Sequence, residues 1–274
     1  MKILIIGASS YVGASIYLRL KEKYFVIGTY NSNKLLPELE KLDITNQENI
    51  NDFIKTKRPD VIIHVAAIAS GGWCEKNTEE AITINKYGTK YLVDAANTIN
   101  SKIILISSFA VADKESIYGK TKIASEEYVK EVNAGYIILR PSLIVGLSPN
   151  TINDRPFNRF LKNITEKIPA VYDTSWKFQP TWLKHIVDII ETILERGINN
   201  EIIPISVPEL KNRYEIAKDI LIPFGIKVLP ENKKDLTPTF SEKLNKLEEL
   251  KLPKYSYNEM IKGIIQEIKY YLKN

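Results

Sequence analysis

Tyr118 and Lys122 stand four residues apart in Tyr118-Gly119-Lys120-Thr121-Lys122, a spacing that puts a phenol and an ammonium on one face of a helix. A free tyrosine holds its proton until about pH 10. A neighbouring ammonium stabilises the phenolate and makes that proton exchangeable nearer neutrality, as a general acid requires. Alone, such a pair is common on solvated helices. The flanking segments give it more weight. Upstream, Ile103-Ile104-Leu105-Ile106-Ser107-Ser108 reads as a buried strand that ends in two hydroxyls. A hydroxyl at a strand's C-terminal end, just before the tyrosine helix, is placed to bind a carbonyl oxygen. Ser108 is the first candidate and Ser107 the second, with a plain strand-end cap as the alternative. Downstream, Ile137-Ile138-Leu139-Arg140-Pro141-Ser142 reads as the next strand and its exit turn.

A second constellation follows the first apolar run: Gly7-Ala8-Ser9-Ser10-Tyr11-Val12-Gly13, then a helical pattern. Glycines at a strand–helix turn let backbone approach a pyrophosphate, and the helix N-terminus offers N–H groups and a favourable dipole. Gly7, Ser10, Tyr11, Val12 and Gly13 are the candidate cofactor contacts, Ser10 through its backbone N–H and its hydroxyl. A tight turn without a ligand is the alternative. About 20 residues beyond such a turn, at the end of the second strand, an acid binds the ribose diol of NAD. Here that strand ends Gly28-Thr29-Tyr30-Asn31-Ser32-Asn33-Lys34, and no Asp or Glu occurs from Lys23 to Pro37. Asn31, Ser32 and Asn33 offer neutral donors and Lys34 a charge to a 2′-phosphate, with Asn31 and Ser32 the preferred contacts and Tyr30 a further cofactor contact. NADP(H) is therefore the preferred cofactor, and NAD(H) remains admissible. A polar turn would have the same composition.

These residues need a scaffold, and the patterning supplies one. Short apolar runs at Lys2–Ile6, Phe25–Tyr30, Val61–Val65, Lys102–Ser107 and Tyr136–Arg140 alternate with helical patterns near Tyr11–Glu22, Gln47–Lys55, Thr78–Asn97 and Ser116–Val132. That alternation predicts an α/β chain with a Rossmann-type, doubly wound parallel sheet over residues 1–150. Ile186–Arg196 reads as a further helix ended by Gly197, within a 183–197 segment expected to pack back on the first lobe. Beyond residue 150, closely spaced prolines predict a smaller mixed lobe over 151–274 that binds substrate.

Composition narrows the classes. A hydrophobic fraction of 44% and a charged fraction of 26% are ordinary for a globular protein. The net charge of +5 is scattered rather than striped, which argues against a nucleic-acid partner. One cysteine, Cys74, and two histidines, His64 and His185, are too few for a disulfide or a metal site of ordinary spacing. His64 is expected to satisfy its nitrogens inside the sheet, and Cys74 to pack. No run approaches the ~20 apolar residues of a membrane span. A cytoplasmic location is the default expectation, and a homodimer is left open.

Together these residues resemble the extended short-chain dehydrogenases/reductases of the NAD-dependent epimerase/dehydratase superfamily, and within them the dTDP-4-dehydrorhamnose reductase branch. The resemblance includes Leu42-Asp43-Ile44-Thr45 and Arg58-Pro59-Asp60-Val61-Ile62-Ile63-His64-Val65-Ala66-Ala67. It continues through Cys74-Glu75 with Ala81 and Asn85, Gln179-Pro180-Thr181, and Arg213-Tyr214-Glu215-Ile216-Ala217. It implies Asp43 and Ile44 beside the adenine, Ala66, Ala67 and Ile68 beside the cofactor at a strand end, and Ser142 as a further cofactor contact. It implies hydride transfer to C4 of a nucleotide-linked 4-keto-6-deoxy sugar. Tyr118 would be the general acid, Lys122 would tune it and hold the nicotinamide ribose, and Ser108 would orient the carbonyl. Asn85 either packs its helix or supports the catalytic groups. Three points depart from the family: Ser10 replaces the middle glycine, only nine residues separate Ser108 from Tyr118, and Thr237-Pro238 stands near the usual Arg-Pro. Two alternatives stay open. One is a sugar-nucleotide epimerase on the same fold. The other is a non-catalytic regulatory subunit related to the β subunit of methionine adenosyltransferase.

Overall fold

The computed structural model of the chain describes residues 1–273. The chain divides into two compact units. The first comprises Met1–Arg140 and Ile190–Ile203. Its strands are β1 (Lys2–Ile6), β2 (Phe25–Tyr30), β3 (Glu40–Lys41), β4 (Val61–His64), β5 (Lys102–Ile106) and β6 (Tyr136–Pro141). Its helices include α1 (Tyr11–Leu20), α2 (Gln47–Lys57), α3 (Gly71–Lys76), α4 (Thr78–Ala81), α5 (Gly88–Ile99) and α6 (Ile117–Val129), and residues 190–196 of the helix Leu183–Arg196 belong to it as well.

With the strand Glu201–Ile205 they form a seven-stranded sheet in the order 201–205, β6, β5, β4, β1, β2, β3. The pairings from β6 through β3 are parallel, with Leu4 opposite both Ile27 and Ile62, and Ile104 opposite Ile63 and Ile137. The chain moves outward from β1 to β3, then returns to the other side of β1 for β4. Between β1 and β4 lies the switch point at which doubly wound sheets bind ligands. Both faces of this sheet are covered, which is why the central strands are apolar throughout. Alternation sends Leu4, Ile6, Ile62, Ile103, Leu105 and Ile138 to one face, where they pack on Ile50 and Ile54 of α2, Leu92 and Ala96 of α5, and Val129 of α6.

Local chemistry sets the helix ends. Ser10, Asn46 and Ser116 cap α1, α2 and α6 by accepting the N–H three residues on. α2 stops at Arg58 in the left-handed region (φ 44°), just before Pro59. The segment expected as one helix over Thr78–Asn97 is interrupted by a π-helical stretch, Ile82–Tyr87, that turns Asn85 inward. Two strands escape sequence patterning. β3 is two residues long, and Glu201–Ile205 carries Pro204, which a strand at the sheet's edge tolerates.

The second unit comprises Pro141–Ile189 and the chain from Pro204 onward. Among its described residues are three two-stranded sheets: 144–145 with 181–182, 177–178 with 211–212, and 170–173 with 228–231. Capping boxes, Asn212 with Glu215 and Ser256 with Glu259, start the helices Arg213–Leu221 and Tyr257–Tyr271.

Candidate active site

α6 carries the phenol and the ammonium one turn apart, as the spacing requires. Tyr118 is half-buried in its first turn, and Lys122 is only 3% exposed. Lys122 Nζ donates to Ile106 O at the end of β5, 2.9 Å away. Burial lowers its pKa to about 8, partly offset by the negative charge of Glu126. An ammonium with that pKa is still mainly charged at neutral pH, and it is within reach of proton exchange.

Gly119, between them, explains how the preceding segment reaches this face. A Cβ there would lie 1.9 Å from Asp113 O and 2.7 Å from Ala110 O. Glycine alone lets the 3-10 turn Phe109–Ala112 and its exit pack on α6. That turn opens with Ser108, whose Oγ accepts the Ala110 N–H at 3.1 Å. A hydroxyl that accepts in this way keeps its proton for a carbonyl. Ser107 is buried, and its hydroxyl donates to Glu126 Oε1 at 2.6 Å. Glu75, which stands on α3, accepts the Ile117 N–H at 2.7 Å and so braces the start of α6.

The turn after β1 is built around its glycines. Gly7 has φ +86°, and a Cβ on it would come within 2.9 Å of Ala66 N, at the exit of β4. A Cβ on Gly13 would sit 2.1 Å from Gly7 O. Here the structure corrects one expectation: the Ser10 N–H donates to Gly7 O at 3.0 Å and closes the turn, so it is not offered to a ligand. Ser10 Oγ accepts from Gly13 N–H at 3.0 Å, leaving the hydroxyl proton as its contribution. Tyr11 and Val12 form α1's first turn, at the positive end of the helix dipole. Both glycines are required by close packing of backbone within this turn, which stands at a helix N-terminus, the setting in which dinucleotide folds hold a pyrophosphate.

The remaining candidates are placed as follows. Tyr30 is half-buried at the end of β2, and Asn31, Ser32, Asn33 and Lys34 are exposed on the bend beyond it. The Lys34 ammonium lies 5.6 Å from the Tyr30 ring centroid. Asp43 Oδ1 accepts from both N and Oγ1 of Thr45, and Ile44 is in the core against Gly88. Ala66, Ala67 and Ile68 are half-buried beyond β4. Asn85 clasps Ile68 at both backbone groups, accepting its N–H at 2.8 Å and donating to its carbonyl at 3.0 Å. The inward π-helical turn thus holds the segment after β4, a placement common for such turns at functional sites. His64 bonds Thr89 Oγ1 through Nε2 at 3.0 Å, while its Nδ1 has no partner among the described residues. Burial, with the Lys122 charge, drives its pKa down to about 3, so it is neutral. Cys74 is buried, and burial pushes its thiol pKa up. Ser142 belongs to the second unit, where its N–H donates to Thr181 Oγ1 at 2.9 Å. Glu126 continues the four-residue spacing from Lys122, but only its burial and its bonds set it apart from a solvated helix carboxylate, and Glu75 is revealed only by its bond to the Ile117 N–H.

Residues 1–262 match the family model described as RmlD substrate binding domain. The β subunit of methionine adenosyltransferase 2 from Xenopus laevis is 26% identical over 231 residues, 78% of this chain and 69% of that protein. A dTDP-4-dehydrorhamnose reductase from Aggregatibacter actinomycetemcomitans is 31% identical over 159 residues, 53% of this chain. The chain thus spans about half, 52%, of that relative's length. Among solved structures, dTDP-4-dehydrorhamnose reductase from Bacillus anthracis in complex with NADP superposes with a TM-score of 0.83 at 21% identity, covering 98% of this chain and 99% of that one. At that identity the superposition establishes the fold.

Proposed function

The chain belongs to the RmlD substrate binding domain family, and from that premise we propose that it is an NADPH-dependent reductase of a nucleotide-linked 4-keto-6-deoxy sugar. The observation that carries the reading is the buried Lys122 ammonium one turn beyond Tyr118, anchored at the end of the strand that delivers Ser108. That arrangement supplies a proton donor, a charge to tune it and a hydroxyl to hold a carbonyl.

On this reading the first turn of α1, with Gly7 and Gly13, holds the pyrophosphate, and the Ser10 hydroxyl adds a donor. Asn31 and Ser32 meet the 2′-phosphate, Asp43 and Ile44 border the adenine, and Ala66 to Ile68 line the nicotinamide end. When bound, the nicotinamide supplies the hydride for C4 of the sugar. Ser108 donates to the C4 carbonyl oxygen and orients it. Tyr118 gives that oxygen its proton, and the Lys122 ammonium stabilises the phenolate that remains. Solvent then returns a proton to Tyr118. The second unit recognises the sugar nucleotide.

The length of the alignment to the methionine adenosyltransferase β subunit, 231 residues against 159 for the reductase, favours a second reading: a regulatory subunit that binds the cofactor without turnover. One assay separates the readings. Consumption of NADPH only when a dTDP-linked 4-keto-6-deoxyhexose is present supports the reductase. Tight NADPH binding with no consumption supports the regulatory subunit. Sugar interconversion with no net consumption marks an epimerase.

A further inference from the structure

α6 presents a third side chain on the Tyr118–Lys122 face. Glu126, one turn past Lys122, is 3% exposed, and its carboxylate accepts from Ser107 Oγ at 2.6 Å, Arg140 Nε at 2.9 Å and Arg140 Nη2 at 2.6 Å. Arg140 comes from β6, whose Leu139 O accepts the Ser107 N–H at 2.7 Å. Consecutive residues at the exit of β5 are therefore gripped from the same helix: Ile106 O by Lys122 Nζ, and Ser107 Oγ by Glu126. The next residue is Ser108.

Stability alone is a weak reason for this cluster. Two charges taken out of water lose hydration that their attraction barely returns, and apolar side chains of similar volume often do as well. What a bidentate arginine–carboxylate pair supplies is fixed direction. Resting on the reductase reading above, the geometry points to Glu126 as a positioning residue: it locks the exit of β5 against α6, with Arg140 as counter-ion, and so keeps Ser108 and Lys122 placed relative to Tyr118. Glu126 touches neither substrate nor cofactor in this scheme. Its charge also reaches Lys122. The titratable groups that act on that ammonium are Glu126 on its own helix, His64 from β4 and Cys74 from α3, and Tyr118 stands one turn before it on the same helix. His64 is neutral and the buried thiol's pKa is raised, so Glu126 is the negative charge that favours the ammonium. Removing it lowers the Lys122 pKa further.

Two variants test this. Ser107→Ala deletes one hydroxyl and leaves the ion pair. It should lower kcat about tenfold or more through misplacement of Ser108, with the Kd for NADPH unchanged and the Lys122 titration unmoved. Glu126→Gln keeps the shape and removes the charge. It should lower kcat at least as far, move the alkaline limb of kcat to lower pH, and lower the Lys122 midpoint. That midpoint is read by NMR of 13C-labelled lysine side chains, with the Lys122 signal identified by its loss in Lys122→Arg. A Ser107→Ala protein that melts with the wild type and keeps kcat within about twofold overturns the inference. A folded Glu126→Gln protein with wild-type pH profile and Lys122 midpoint does the same. If Glu126→Gln fails to fold, Ser107→Ala decides. If the wild type consumes no NADPH with any nucleotide-linked 4-keto sugar, it is the reductase reading that has failed. The Lys122 midpoint in Glu126→Gln is then the remaining measurement, and no change in it overturns the inference.

Discussion

At the scale of single residues, Lys122 shows a conflict between function and stability. The residue is 3% exposed, and burial lowers its pKa from 10.5 to about 8. For a base, a depressed folded pKa means that folding costs free energy while the group is charged in both states, below about pH 8. The cost shrinks as pH rises from there to the unfolded value. At about 1.36 kcal/mol per unit it is on the order of 3 kcal/mol, against about 1 kcal/mol for the bond to Ile106 O. Lys122→Met should therefore stabilise the protein by about 1–2 kcal/mol at pH 7, with a gain that fades toward pH 10, while abolishing turnover. Denaturant melts at several pH values check this, and a loss of stability at pH 7 would contradict it. Tyr118→Phe keeps the ring and removes the transferable proton. Turnover should fall at least the ~10²-fold typical of a lost general acid, with NADPH affinity little changed. Near-full activity in that variant would remove the tyrosine from the mechanism. Both residues are legible from sequence because i and i+4 share a helix face. Glu126 is not, since a carboxylate followed by Glu127 reads as solvated helix and only its burial reveals otherwise.

At the scale of elements, the strands of the first unit could be read closely because each is covered on both faces and must be apolar. The hydrogen bonding inside a turn could not. Whether the Ser10 N–H faces a ligand or closes on Gly7 O depends on dihedrals that composition does not encode. The bend after β2 is informative in both ways. It lacks an acid from Lys23 to Pro37, and its residues Asn31 to Lys34 are exposed where a ribose phosphate could be met. NADPH should therefore bind more tightly than NADH to the free protein. A double substitution Asn31→Asp, Ser32→Asp should weaken NADPH selectively, because carboxylates repel a 2′-phosphate. Tighter NADH binding in the wild type, or unchanged NADPH affinity in the double variant, would show that this bend does not read the phosphate. In the second unit, Glu267 accepts from Leu147 N–H and Trp182 Nε1–H, each at 3.1 Å. Burial raises its pKa to about 6 despite those bonds. A raised acid costs stability once it is charged in the folded state, so that contribution falls as pH climbs from about 4.5 through 6. Trp182 fluorescence should titrate with a midpoint near pH 6, and the transition should vanish in Glu267→Gln. A signal flat from pH 5 to 7 would rule out the linkage.

At the scale of the whole molecule, the two units differ in how much of them sequence reveals. The first follows the strand order 3-2-1-4-5-6 of a dinucleotide fold, so its switch point and candidate site follow from β1, β4 and the helices after them. The second is stitched from two- and four-residue strands, too short for a period-2 pattern, and its order comes from caps and single side-chain bonds. The proposed substrate unit is thus the less legible one, so substrate identity is the most informative quantity to measure. On the reductase reading, contacts to the remote nucleotide help set the reacting carbonyl in place, and binding energy far from C4 lowers the barrier there. A dTDP-linked 4-keto-6-deoxyhexose should therefore be reduced with a kcat/KM orders of magnitude above that for free sugars or simple ketones, and the loss on removing the nucleotide should appear in kcat as well as KM. The measurement is NADPH consumption at saturating cofactor across nucleotide-linked and untagged carbonyls. Equal efficiency on untagged ketones would leave the Tyr118, Lys122 and Ser108 chemistry standing and remove the sugar nucleotide from it.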